Sequence, residues 1–351
     1  MKKLNILLGN NTLSLLAGSE TWTLTLALAL KKLGHDVACF SPELGVIAEE
    51  LEKNGIHCYR DLTTAAIKPF SYVLEEEVNH DYDVIISNHN HIVQYLRSQY
   101  PKKPIISTIH GIIHKHENGE IAPEYPALDS GVNQFVAVSE EVAEKLKAEY
   151  NIEATIIRNF FDISKYKFDR AISPGTPKQF LINTNYNGGH DPEVEVIREV
   201  VKHYGAKLTA VGQNFSQSLN LSRALEDADV VIGMGRSVLE GVAAGRLGIV
   251  HGRWGTGGVV SEEKLDDLRR CNFSGRNSKG LATKEELIAL IDKHYNDRTI
   301  EWGKQYMAMN HNAVLAAEAY VAIARELTGE AFTRQPSSAN AGMKKIKFSH
   351  E

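Results

Sequence analysis

Short runs of branched apolar residues alternate with stretches of helical periodicity along this chain, and the alternation runs twice over 351 residues. The first run has strand patterns at Asn5–Leu8, Asp36–Phe40, Ile56–Tyr59, Val84–Ser87, Ile105–Ile109, Phe135–Val138 and Thr155–Arg158. Helical patterns lie between them at 19–33, 46–53, 92–98 and 139–149. Periodicity fails near 162–177, where Ala171-Ile-Ser-Pro-Gly-Thr-Pro177 reads as a linker. It then resumes with strands at Phe180–Asn183, Lys207–Val211, Val230–Ile232 and Gly248–His251. Helices are expected at 192–203, 219–225, 238–244 and 284–295, with one long helix over 299–327. Strand alternating with helix builds a parallel sheet covered on both faces, so the expected fold is α/β, with two tandem Rossmann-like doubly wound domains and a cleft between them. The expected divisions are 1–168, 169–311, a C-terminal helix 312–328 and a tail 329–351.

Other classes drop out on composition. Hydrophobic residues make up 43% and charged residues 24%, so neither a disordered nor a coiled-coil chain fits. No apolar run reaches the roughly 20 residues of a membrane span. The basic start, Met1-Lys2-Lys3, leads into an apolar stretch too short for a secretory signal. Cys39, Cys58 and Cys271 are odd in number and widely spaced, which suits reduced thiols, and the cytoplasm is the expected compartment. Net charge is −5, and residues 1–165 hold 15 Lys and Arg against 22 Asp and Glu. An acidic front half disfavours a broad nucleic-acid or anionic-lipid surface there.

Open parallel sheets bind ligands at the carboxyl ends of their strands. After the first strand, Gly9 to Glu20 leads into a helix; Gly18 allows close backbone approach, and Ser19 with Glu20 suits a helix start able to receive phosphate. The spacing is not G-x-G-x-x-G, which disfavours a nicotinamide cofactor. In the second half a buried strand reaches Gly233 and Gly235, and a helix opens near Ser237. There the amides of Ser237, Val238 and Leu239 suit a diphosphate, Arg236 adds positive charge, and Glu240 suits two ribose hydroxyls. An ordinary β-α unit explains the same residues without a ligand. His89 and His91 follow one strand, and His110, His114 and His116 follow another. No carboxylate pattern accompanies them, so no metal site is expected. His110, at a strand end, is a functional candidate or a satisfied structural histidine. Arg276 lines the cleft or belongs to an Asx-type turn with Asn272 and Ser274, and Glu75 to Glu77 form a solvated helix face.

Ordered landmarks across residues 4–327 resemble the two-domain GT-B glycosyltransferases of the retaining family-four type. They are Ala17-Gly18-Ser19-Glu20, Leu33-Gly34-His35-Asp36-Val37, Ser107-Thr-Ile-His110-Gly111, Phe135-Val-Ala-Val-Ser139, Arg158-Asn159-Phe-Phe-Asp162, and Ser237-Val-Leu-Glu240 with Ala243-Ala-Gly-Arg246. The resemblance implies transfer of a sugar from a nucleoside diphosphate donor, UDP-sugar foremost, without a metal or further cofactor. It implies that Glu240 holds the donor ribose, that Ser237, Val238 and Leu239 hold its diphosphate, and that Gly18 closes on it from the other domain. His110 would lie beside the donor sugar, making His110 and Glu240 the candidate catalytic residues. The acceptor, unidentified, is assigned to residues 1–165 with Glu20, His89 and His114 as candidate contacts. Homo-oligomerisation stays open.

Two positions depart from the family. A first Glu normally stands eight places before the second, where this chain has Ile232. A basic pair normally follows the second domain's first strand, where Asn183-Thr-Asn-Tyr-Asn-Gly-Gly-His190 stands. Arg236, or Arg253 of the glycine-rich loop Gly252–Gly258, is the expected substitute. A nucleotide-sugar epimerase on the same fold, and a binding protein without catalysis, remain alternatives.

Overall fold

Val, Ile and Leu dominate the strands because both faces of a parallel sheet are covered and each residue meets a core on one side or the other. The computed structural model describes residues 2–60, 81–113, 131–168, 170–183, 191–212 and 221–329. Among these, the first sheet comprises β1 (Asn5–Gly9), β2 (Asp36–Phe40), β3 (His57–Tyr59), β4 (Val84–Ser87), β5 (Ile105–Ile109), β6 (Gln134–Ala137) and β7 (Ala154–Ile156). All pair in parallel, in the order β3-β2-β1-β4-β5-β6-β7. The order reverses between β1 and β4, which makes their carboxyl ends the switch point where such sheets take ligands. Helices α1 (Gly18–Lys32), α2 (Val46–Lys53), α3 (Asn90–Gln99) and α4 (Glu140–Tyr150) cover the sheet.

Alternation along the strands divides the core. Ile6, Leu8, Val84 and Ile86 join Trp22, Leu26 and Leu30 of α1 on one face. Leu7, Ile85 and Ile105 meet Ile92, Val93 and Leu96 of α3 on the other. Both clusters are buried, and each fully covered branched side chain contributes on the order of 1.5–3 kcal/mol.

The second sheet comprises β8 (Gln179–Asn183), β9 (Lys207–Val211), β10 (Val230–Gly233), β11 (Leu247–Gly252) and β12 (Gly255–Val259), in the order β12-β11-β10-β8-β9. Four strands are parallel and β12 is antiparallel to β11. Glycines 255, 257 and 258 suggest a loop in the sequence, but they form a strand because close packing excludes larger residues. A Cβ on Gly257 would lie 2.7 Å from Leu268 Cδ2. Around this sheet lie α5 (Pro192–His203), α6 (Ser222–Asp227), α7 (Arg236–Ala243), α8 (Leu265–Arg270) and α9 (Lys284–His294).

The helix expected over 299–327 is two helices, α10 (Asp297–Asn310) and α11 (Ala313–Leu327). Phe161 N–H donates to His311 O, and Ala313 N–H donates to Phe161 O, each at 3.0 Å. These two bonds spend backbone groups at the junction, and Asn312 caps α11 by accepting the Val314 N–H at 3.0 Å. The chain therefore passes between the sheets twice at one place. Beyond the break, Ala316, Ala317, Tyr320 and Ala324 pack into the α1 side of the first core, with Tyr320 Oη 2.9 Å from Thr108 Oγ1. The small alanines let α11 lie close on α1. All three cysteines are free and buried. Among the described residues no helix is long and apolar enough to cross a membrane.

Candidate functional site

The β10–α7 corner is shaped by glycine. A Cβ on Gly233 would sit 2.5 Å from the Asn183 carbonyl oxygen, and Gly235 has φ +55° and ψ −132°, a backbone region that L side chains rarely enter. Gly235 N–H donates to Phe273 O at 2.8 Å. The helix begins at Arg236, with no side-chain cap. The amides of Arg236, Ser237 and Val238 thus precede any intrahelical carbonyl and carry the positive end of the helix dipole. The Leu239 N–H, expected among the phosphate donors, bonds Gly235 O at 3.4 Å, as the helix starts one residue earlier than its sequence suggests.

Arg236 does not extend into open cleft. Its Nε donates to Glu240 Oε1 at 2.6 Å, and Nη2 reaches Thr25 Oγ1 on α1 at 3.3 Å. The reason is electrostatic: Glu240 is only 7% exposed, and a buried carboxylate needs a compensating charge nearby. Burial opposes the Arg236 charge, but the Glu240 carboxylate and Tyr166 outweigh it, so its pKa is raised. Burial, then the adjacent Glu240, pushes the Tyr166 phenol far above its ordinary range. Arg236 Nη1 has no partner among the described residues. Sequence patterns carried no sign of Thr25 or Tyr166.

On the first sheet, the carboxyl ends of β1, β4 and β5 bring together Asn10, Asn88, His89, His91 and His110. Asn10 and Asn88 both donate to Thr23 Oγ1, at 2.9 and 3.2 Å, and the His91 ring bonds Asn11 Oδ1 at 2.8 Å. His110 meets the Trp22 ring edge-on, with centroids 5.2 Å apart. Buried polar atoms without a partner among the described residues gather here: Glu20 Oε2, Ser87 Oγ, Asn88 Oδ1, His89 Nε2 and His110 Nε2. In a folded protein such groups are rare and costly, of order 1–3 kcal/mol each. Burial pushes the His110 pKa down to about 3 and that of His89 to about 4, each helped by a neighbouring histidine, so both are neutral at pH 7. Burial likewise raises the Glu20 pKa. Among the described residues no trio of His, Cys, Asp or Glu gathers as metal ligands.

The remaining candidates are dispersed. Gly18 opens α1; a Cβ there would meet nothing within 4 Å, so protein packing does not require a glycine. Arg253 is exposed at the β11–β12 turn, its guanidinium 4.5 Å from the centroid of exposed Trp254. Ile232 is buried in the core of the second sheet. Arg276, a candidate for the cleft, instead grips Glu141 of α4 through Nε and Nη2, while its own N–H donates to Ser274 Oγ at 3.2 Å. His114 and His116, residues 184–190, Glu75 to Glu77 and the tail 330–351 lie outside the described residues. Asn272 and Phe273 both have positive φ, 54° and 53°. Asparagine tolerates this and could have been suspected; nothing in the sequence marked Phe273, for which it costs on the order of 1–2 kcal/mol.

Residues 16–165 match the family described as Glycosyltransferase Family 4. No curated protein matches the chain. Solved structures similar to it include a glycosyltransferase from Rickettsia africae ESF-5, at 14% identity and TM-score 0.61, covering 94% of this chain and all of that one. Another is Anabaena HepE in complex with UDP and glucose, at 12% identity and TM-score 0.58, covering 92% of this chain and all of that one. A third is a putative UDP-N-acetylglucosamine 2-epimerase from Listeria monocytogenes, at 13% identity and TM-score 0.58, covering 94% and 98%. The fold is that of the GT-B glycosyltransferases, two Rossmann-like domains, and the N-terminal half is family-four-like.

Proposed function

We propose that the protein transfers a sugar from a UDP-sugar to a hydroxyl of an acceptor held by the first domain, with retention and without a metal or further cofactor. One observation carries this reading: the uncapped N-terminus of α7 and the buried side-chain atoms without partners among the described residues at the ends of β1, β4 and β5 flank one junction, joined by Arg236 and Thr25. UDP bound to HepE in the similar structure supports the choice of nucleotide. The diphosphate lies on Arg236 and Ser237 N–H, and Glu240 receives the ribose through oxygen capacity not used by Arg236. Gly18 leaves room for the phosphates from the α1 side.

Reaction breaks the bond from the anomeric carbon to the β-phosphate oxygen and forms one to the acceptor oxygen, whose proton passes to the departing phosphate. Negative charge grows on UDP, where fixed amide dipoles stabilise it without reorganising. Neutral His110 serves the sugar as a hydrogen-bonding group, since burial denies it the protonated form. Glu20 and His89 receive acceptor hydroxyls. No carboxylate occupies the Ile232 position, so the sugar's remaining contact falls to the backbone at Met234 and Gly235.

Calorimetry with UDP, and proton NMR of UDP-sugars with and without acceptors, tests this. Saturable UDP binding that Glu240→Gln weakens about tenfold is expected, as a ribose hydrogen bond to a charged group contributes roughly 1.5 kcal/mol. Absence of UDP binding to the wild-type protein overturns the proposal. Conversion of a UDP-sugar alone into its 2-epimer replaces transfer by the epimerase reaction.

A further inference from the structure

Asn272 and Phe273 are consecutive non-glycine residues held in left-handed backbone, an arrangement that persists only where its surroundings over-determine it. Phe273 is fixed by packing: it is 1% exposed, and its ring stands across that of His311 with centroids 5.8 Å apart. Asn272 is fixed by one side-chain bond, in which its Oδ1 accepts Asn159 Nδ2–H at 2.9 Å. Asn159 belongs to the segment by which the chain leaves the first sheet. Its own carbonyl accepts the His311 Nδ1–H at 2.6 Å, where the chain returns. On the other side of the same loop, Phe273 O accepts the Gly235 N–H and Asn272 O lies 3.7 Å from where a Gly235 Cβ would stand. Arg270 and Arg276 flank the loop and bridge to Glu144 and Glu141 of α4. Both interdomain crossings and the β10–α7 corner therefore meet on two residues.

We infer that Asn272 is a positioning residue that sets the α7 N-terminal amides according to how the two domains meet, through Asn159 on one side and Gly235 on the other. It acts through the backbone of the corner. The consequence for UDP rests on the function proposed above; the consequence for the corner itself does not.

Hydrogen exchange over residues 233–239, melting temperature and UDP affinity of the full chain, compared across variants, provide the test. Asn272→Gly keeps the left-handed backbone accessible and removes only the amide, so the melting temperature falls by no more than the few degrees that about one hydrogen bond accounts for. Exchange at Gly235 and Leu239, whose N–H groups bond Phe273 O and Gly235 O, is expected to accelerate about tenfold, the upper end of what one neutral hydrogen bond sustains, with UDP affinity falling in step. Asn272→Asp keeps an oxygen for Asn159 and restores both. Asn159→Ala reproduces the loss from the other domain and decides the matter if Asn272→Gly does not fold. Unchanged exchange at these amides in Asn272→Gly and Asn159→Ala overturns the inference, as does a loss that merely follows melting temperature through all variants. If the wild-type protein binds no UDP, the proposed function falls, and the exchange data still decide for or against Asn272.

Discussion

At the ends of β1, β4 and β5, buried polar atoms stand without partners among the described residues, whereas at the β10–α7 corner Arg236 and Glu240 neutralise one another across one helical turn. The difference follows from what each side chain can give up. A histidine entering a low-dielectric site sheds its proton, as His89 and His110 do; a guanidinium cannot, and must bring a carboxylate with it. One half of the junction is therefore under-bonded and carries neutral histidines, open to hydroxyl groups. The other is charged and internally balanced, with its ligand capacity left to backbone amides.

The comparison breaks most readily at Glu240. Glu240→Ala strands the Arg236 charge and is expected to lower unfolding free energy by about 3–5 kcal/mol, read from urea melts. Arg236→Met with Glu240→Leu should recover most of that stability but not UDP binding; full recovery of both would show that the pair has no part in the site. His89 and His110 on the neutral side, and His311 at the domain crossing, have native pKa values lowered by burial to about 4, 3 and 4 from 6.5. The unfolded chain then binds more protons, so their stability contribution is intact above pH 6.5 and is lost as pH falls towards 4. Between the native and unfolded pKa values each histidine adds a slope of about 1.4 kcal/mol per pH unit, and His311→Asn should flatten the pH dependence of the unfolding free energy from urea melts by that amount. Thr25→Val removes the 3.3 Å bond to Arg236 and should cost about 1 kcal/mol or less. Gly18→Ala is the smallest change: with open space at Cβ it should gain about 0.5 kcal/mol in thermal melts while weakening UDP. Unchanged UDP affinity would remove Gly18 from the donor site.

Legibility differed by feature. Strands such as Asp36–Phe40 and Ile105–Ile109, and helix Pro192–His203, stand where their patterns predict, because burial on both faces writes apolar runs into sequence. β12 was hidden, since its glycines respond to Leu268 and Val250 rather than to strand propensity. The break at His311 was hidden too, as the residue that interrupts the helix, Phe161, lies 150 positions away. Within the site, Gly235 and Glu240 announce themselves as a strand-to-helix turn, but the direction of the Arg236 side chain does not.

Local chemistry alone determined that this chain makes two parallel-sheet units, each with glycine-marked turns at its strand ends. Only the tertiary structure decided that Arg236 serves Glu240 and Thr25, that Arg276 serves Glu141, and that Asn272 joins the two crossings to the corner. Periodicity is a property of neighbours in sequence, whereas desolvation and the partners it demands depend on which distant residues share the same low-dielectric space.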